Sequence, residues 1–318
     1  MEWPGPIALP CPLRAGWQRV EQTVLPRSAG GGFSAGAYSS GNDTLWLLSD
    51  GPNGSIGRWQ GLRQGGLAGL RPLPPLPLPQ PQPMDGEGLV LDGAGLWVAS
   101  EGRLQPPRPA ELLRYDLATG QLQQRVALPI AWQLQQGSGL QSNGGPESLT
   151  RLPGSGALLM AAERPLQQDP TDRVRLLRWP LQRKPVQRKP LQPAAAPQAS
   201  PLQPLALPSG WGLTDLLATD RGLLGLWRRF DAPDRWQARL VLYPLPGPDP
   251  AARPLVPLQQ WNLEGLGLPR DNWEVLLAAP PLADGRPTLL LASDDNFNPL
   301  QANHLVRLSP VRHPDCKP

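Results

Sequence analysis

The sequence predicts an all-β fold, specifically a β-propeller. Three observations predict it. A strand-sized apolar pattern recurs with a period near 50 residues, turn residues punctuate it about every ten, and no long segment carries helical periodicity. The 318 residues include 44 prolines and 34 glycines, far above ordinary usage and suited to short strands joined by tight turns.

Each repeat opens on a patch that begins an innermost strand: FSAGAY at Phe33, GEGLVL at Gly86, PESLTR at Pro146, LTDLLA at Leu213 and LEGLGL at Leu263. Aligning Ser34, Glu87, Glu147, Asp215 and Glu264 gives spacings of 53, 60, 68 and 49. A second strand follows in each unit: LWLLSD from Leu45, LWVASE from Leu96, LLMAAE from Leu158, LLGLWR from Leu223 and LLLASDD from Leu289. A third carries an aromatic or arginine near its middle: IGRWQGL, LLRYDLA, LLRWPLQ, LVLYPLP and LVRLSPV. LLRYDLATGQLQQRVAL reads as a hairpin turning at Ala118-Thr119-Gly120. Five units are legible, and the expectation is six blades, one degenerate, in a single domain spanning 1–318.

Two segments interrupt the pattern. Residues 72–83 form a proline-rich stretch read as an extended connection. Residues 181–208, with a duplicated Gln-Arg-Lys-Pro, read as a low-complexity loop between blades. The ring should close by pairing Trp17–Pro26 with His304–Pro310. That closure would bring Cys11 and Cys316 near each other as a candidate structural disulfide, the alternative being two unrelated thiols.

Composition narrows the partners. The net charge is +4, and no dense basic run is interleaved with aromatics, so nucleic acid is not expected. No apolar run reaches the roughly 18 residues of a membrane span. The N-terminus carries no basic segment of a secretory signal, which implies a cytoplasmic protein unless a leader was removed or the start misassigned.

Gly32-Phe33-Ser34-Ala35-Gly36 fits the nucleophile-elbow pattern, but a turn and another strand follow where that elbow needs a helix. Ser34 also occupies a repeat position filled elsewhere by acids. It is read as a decoy. Those acids, Glu87, Glu147, Asp215 and Glu264, should gather around the axis, with Asp50, Glu101, Glu163, Asp294 and Asp295 in a second ring. Two readings stand: strand-end acids that latch neighbouring blades through backbone N–H groups, or carboxylates that hold a hard cation such as Ca²⁺ or a substrate. His304 is read as structural, and Trp46, Trp97 and Trp227 as packing between blades.

The ordered set FSAG…LSD, DGEGL, PESL…AAE, LTDLL, NLEGL and SDDNF resembles the phytase-like family, also described by an esterase-like activity of phytase. The resemblance runs from about Gly31 to Arg307. It implies a propeller, placed in the periplasm or outside the cell, that hydrolyses phosphate or other esters. Two units depart from the family pattern. Asn143-Gly144-Gly145-Pro146-Glu147-Ser148 lacks the usual arginine and phenylalanine, and Arg228-Arg229-Phe230 puts a base where the family has an acid.

The expectation is metal-assisted hydrolysis of a small-molecule ester by a monomer, at an acidic channel mouth. Glu264, Asp295, Arg164 and Arg229 would be catalytic, and Glu87, Glu147, Asp294, Asp295 and Asn296 would ligate Ca²⁺. The alternative is a non-catalytic propeller that binds a ligand or protein partner on the same face.

Overall fold

A computed structural model describes residues 16–80, 83–181, 197–233 and 235–312. It contains five four-stranded antiparallel sheets arranged as five blades. The first is β2 (Phe33–Ser39), β3 (Thr44–Ser49), β4 (Ser55–Gln60) and β5 (Arg71–Pro77). The second is β6 (Gly86–Asp92), β7 (Gly95–Ser100), β8 (Glu111–Asp116) and β9 (Leu122–Ala127). The third is β10 (Ser148–Arg151), β11 (Leu158–Ala161), β12 (Arg173–Trp179) and β13 (Ser200–Ala206). The fourth is β14 (Gly212–Ala218), β15 (Leu223–Asp231), β16 (Arg235–Tyr243) and β17 (Gln259–Asn262). The fifth joins β18 (Asn272–Ala279), β19 (Thr288–Asp294) and β20 (Asn303–Pro310) to β1 (Trp17–Leu25) from the other end of the chain.

Five blades, not six, complete the ring. The N-terminal strand supplies the outer edge of blade five, with Trp17 opposite Pro310 and Leu25 opposite Asn303, as the sequence pairing anticipated. The segments read as interruptions are partly strand. Arg71–Pro77 is the outer edge of blade one, and Ser200–Ala206 the outer edge of blade three. An edge strand bonds on one side only, so prolines with no N–H are tolerated there. Residues 182–196, Cys11 and Cys316 lie outside the described residues.

Five apolar clusters fill the five gaps between adjacent blades. Trp46, Trp97 and Trp227 each sit in a different one, in the packing role read for them. The alternation that makes each strand amphipathic on an exposed sheet becomes near-continuous apolarity here, because every sheet is covered on both faces. β3 and β7 are buried throughout. Fully burying one such leucine contributes about 1.5–3 kcal/mol. Among the described residues no helix is long and apolar enough to cross a membrane.

The inner strands β2, β6, β10, β14 and β18 surround the axis. Their middles line an apolar cavity of about 90 Å³ bounded by Ala35, Leu89, Leu149, Leu216 and Leu276. Their beginnings carry the charged residues.

Candidate functional site

Pairing registers identify which residues are equivalent. Four inner strands skip one residue near their start, between Phe33 and Ala35, Gly86 and Gly88, Leu213 and Asp215, and Trp273 and Val275. A bulge of this kind turns the skipped side chain out of the ordinary alternation. The skipped residues are Ser34, Glu87, Thr214 and Glu274, and Glu147 directly precedes β10 in the third blade.

Two predicted members of that ring are therefore corrected. Asp215 is one residue past the position. Its carboxylate accepts from the amides of Leu216 (2.8 Å) and Leu276 (2.7 Å), tying blade four to blade five. Glu264 lies in a short 3-10 turn after β17, ion-paired with Arg270 at 3.1 Å, and on no inner strand. LEGL imitates GEGL in composition, but the apolar run that forms the fifth inner strand starts only at Trp273, beyond Pro269.

The second strands add a further layer. Asp50, Glu101 and Glu163 make the same backbone bond, each donating its amide to a carbonyl ahead of its blade's first strand: Gly32 before Phe33, Asp85 before Gly86, and Gly145, which lies a little before Ser148. Arg228 opposite Gly212 and Asp294 opposite Asn272 complete the set. Four acids and one arginine thus occupy corresponding places, one per blade.

Several of these groups hold the blades together. Ser34 Oγ donates to the Gly86 carbonyl of the next blade, and Thr214 Oγ1 to that of Trp273 at 3.1 Å, which leaves Ser34 as a staple in β2 rather than a nucleophile. Glu101 Oε1 accepts from the amides of Gly144 (2.9 Å) and Gly145 (2.6 Å) in blade three. Asp295 Oδ1 accepts from Gly32 (2.9 Å) in blade one and from Phe297 (3.2 Å). These contacts need glycine. A Cβ on Gly145 would stand 2.0 Å from Glu101 Cγ, and one on Gly32 2.2 Å from Asp50 Oδ1. Gly145→Ala is expected to cost about 2–4 kcal/mol through this forced displacement, read as a lowered denaturation midpoint, whereas Gly154→Ala, with open space at its Cβ but a φ of +73°, should show only the smaller backbone penalty.

Arg228 is the cation inside the cluster. Its Nη2 meets Glu163 Oε1 at 2.8 Å, and its Nη1 meets Asn272 Oδ1 at 2.6 Å and also contacts Glu274. Burial opposes its charge, but Glu274, Glu163 and Glu147 outweigh that and raise its pKa. The arginines singled out from sequence sit farther out. Arg164 is half exposed and pairs with Glu163 at 3.2 Å, and Arg229 pairs with Asp231 at 2.8 Å. Arg229 faces the other way because neighbouring residues of a strand alternate.

Glu87 and Glu147 differ from the rest. They are 9% and 7% exposed, and among the described residues no hydrogen bond to either carboxylate occurs. Burial pushes both well above the usual carboxylate range. Next in effect is Glu147 for Glu87 and Glu163 for Glu147, with Glu274 and Glu101 adding to both. Burial also raises Glu274 to about 8 and Asp50, Glu101 and Asp294 to about 7. Asp50 Oδ1 is buried with no hydrogen-bonded partner among the described residues.

The five expected Ca²⁺ ligands do not form one shell. Asn296 is exposed and directs its amide to Gln301, while Asp294 accepts from Asn296 N (2.8 Å) and Asn272 Nδ2 (3.1 Å). SDDNF is thus the end of β19 and the side-chain-capped turn that follows it. Among the described residues no group of three or more histidine, cysteine, aspartate or glutamate side chains is spaced to hold a metal ion. His304 Nε2 lies 3.5 Å from Asp271, outside the cluster. Glu274, Asn272 and Thr214 were missed in the sequence. The signal that finds them is the count back from LLLASD to the strand it pairs with, rather than the recurrence of a Glu-Gly-Leu triplet.

The sequence profile of the phytase-like family, described as esterase-like activity of phytase, matches residues 28–297. No curated protein sequence matches the chain. Among solved structures, glutaminyl cyclase of Myxococcus xanthus is similar at 11% identity with a TM-score of 0.50, over 93% of this chain and 97% of that one. Raptor of Chaetomium thermophilum aligns at 12% identity and a TM-score of 0.40, over 93% of this chain and 29% of that one. At such identities the likeness to the cyclase concerns the fold alone.

Proposed function

Because the chain belongs to the phytase-like family, we propose that the acidic end of its inner strands is the active site of an ester hydrolase, with Glu87 and Glu147 as an acid–base pair. One observation carries the reading: two glutamates, nine-tenths buried, have no hydrogen-bonded partner among the described residues, and burial, followed by neighbouring acids, makes each harder to ionise. A fold that needed these side chains only for packing would do better with apolar groups, since burying an unpaired carboxyl costs stability.

Both carboxyls stay protonated to a higher pH than an ordinary glutamate, so one can remain an acid while the other ionises. The ionised member takes a proton from an attacking water, and the protonated member gives one to the departing alkoxide. General acid–base assistance of this kind is worth about 10²–10⁴ in rate. The expected ligand set does not fit Ca²⁺ as arranged, so no step passes through an ion. An uncharged ester suits this acidic environment better than a phosphate ester, whose own negative charge would meet Asp50, Glu101 and Asp294.

A propeller that only binds a ligand is the second reading, favoured by the latching of Glu101 and Asp295 to neighbouring backbone. Assays of p-nitrophenyl acetate, p-nitrophenyl phosphate and phytate, each with and without CaCl₂, separate the two. Turnover of the acetate, lost in Glu87→Gln and Glu147→Gln while both variants stay folded, is the expected result. Absence of turnover above blank for all three substrates would replace the hydrolase with the binding reading.

A further inference from the structure

We infer that Arg228 serves as a fixed cation in the acidic cluster, in place of a divalent metal. The inference rests on reading that cluster as the functional site. By register Arg228 holds in blade four the place that Asp50, Glu101, Glu163 and Asp294 hold in the other blades. A fifth acid there would complete an all-carboxylate ring of hard oxygen donors, the chemistry that Ca²⁺ requires in six- to eightfold coordination. Instead a guanidinium points into the ring. Its side chain is 15% exposed, and it is held between Glu163 and Glu274, which are 2% and 10% exposed, with Asn272 Oδ1 accepting a third bond.

The guanidinium does electrostatically what an ion would do. It offers two buried acids, Glu163 and Glu274, a positive charge that costs no recruitment from solvent. Its planar fork suits simultaneous contact with two acids, which a lysine ammonium cannot reproduce. It also excludes an ion: a divalent cation entering beside Arg228 would meet a like charge and would have to displace it from Glu163 and Glu274. Removing the arginine should therefore leave Glu163 and Glu274 without their cation and open the cluster to one from solvent.

Calorimetric titration with CaCl₂, paired with thermal denaturation at about 5 mM CaCl₂, tests this without reference to activity. The wild-type protein is expected to give no binding heat and an unchanged Tm. Arg228→Asp and Arg228→Gln are expected to bind Ca²⁺ with Kd of about 10⁻⁴–10⁻³ M and to gain several degrees of Tm in its presence. Arg228→Lys, which keeps the charge, should stay indifferent to Ca²⁺. Wild-type binding with Kd below about 1 mM would overturn the inference, as would folded Asp and Gln variants that ignore Ca²⁺. Wild-type binding overturns the inference even if neither variant folds. Because no substrate is involved, a negative hydrolysis assay leaves this result standing, and the converse holds.

Discussion

Glu87→Gln is expected to raise the melting temperature above neutral pH and to remove at least about 99% of ester turnover. The two effects share one cause. Burial, followed by the charges of Glu147, Glu274, Asp85 and Glu101, lifts the Glu87 pKa well above the usual carboxylate range. A group whose folded pKa is raised favours the fold while protonated, so its contribution is complete below the unfolded value and disappears as pH rises through the folded value. Glu274 at about 8, and Asp50, Glu101 and Asp294 at about 7, act in the same direction. The wild-type protein should therefore lose stability between about pH 5 and pH 8.5, because each tenfold difference in proton affinity between the folded and unfolded chain is worth roughly 1.4 kcal/mol.

Neutral glutamine keeps the shape of Glu87 and removes the charge that the fold resists. A flatter profile and a Tm gain of about 5 °C near pH 8.5 are expected, together with lost turnover. Such an exchange of stability for activity is the signature of a strained functional group. A variant that is less stable at about pH 8.5, or that turns over substrate at the wild-type rate, would refute the assignment of Glu87.

Most of the fold was legible in the sequence because its second and third strands are contiguous apolar runs. LWLLSD, LWVASE and LLLASDD announce themselves wherever both faces of a sheet are covered. The blade count was less legible, since the proline-rich tracts read as spacers hide the edge strands β5 and β13. The inner strands were hardest. Each bulged one breaks its period-two alternation at the residue that faces the cluster, so a sequence alignment lands on Asp215 instead of Thr214. In blade five a local mimic drew attention to Glu264, while Glu274 follows an undistinguished Asn272-Trp273 pair. Bulges that re-aim a functional side chain erase the pattern by which that side chain would be recognised.

The ring closure carries the other large effect. Arg307 on β20 is buried, donating from Nη1 to Glu21 Oε1 at 2.8 Å and from Nη2 to the Pro280 carbonyl at 2.8 Å. The bulge between Arg19 and Glu21 brings Glu21 into position on β1, and its Oε2 accepts from Leu67 N at 2.7 Å. Leu67 follows the short helix α1 (Leu62–Gly65) of blade one, so one arginine–glutamate pair clips the N-terminal strand, blade five and blade one together. Arg307→Ala removes one of two donors from the Pro280 carbonyl, which keeps Thr288 Oγ1, and one from Glu21, which keeps Leu67 N, and opens a void beside the closing strand. A loss of about 2–4 kcal/mol is expected from the lost packing and hydrogen bonds, lowering Tm by roughly 8 °C. Glu21→Gln should cost far less, because Glu21 is one-third exposed and its amide oxygen can still accept a hydrogen bond from Leu67 or Arg307. Equal losses in the two variants would mean that the buried arginine does not dominate the clip. An unchanged Tm in Arg307→Ala would place the strength of the closure in the β1–β20 ladder alone.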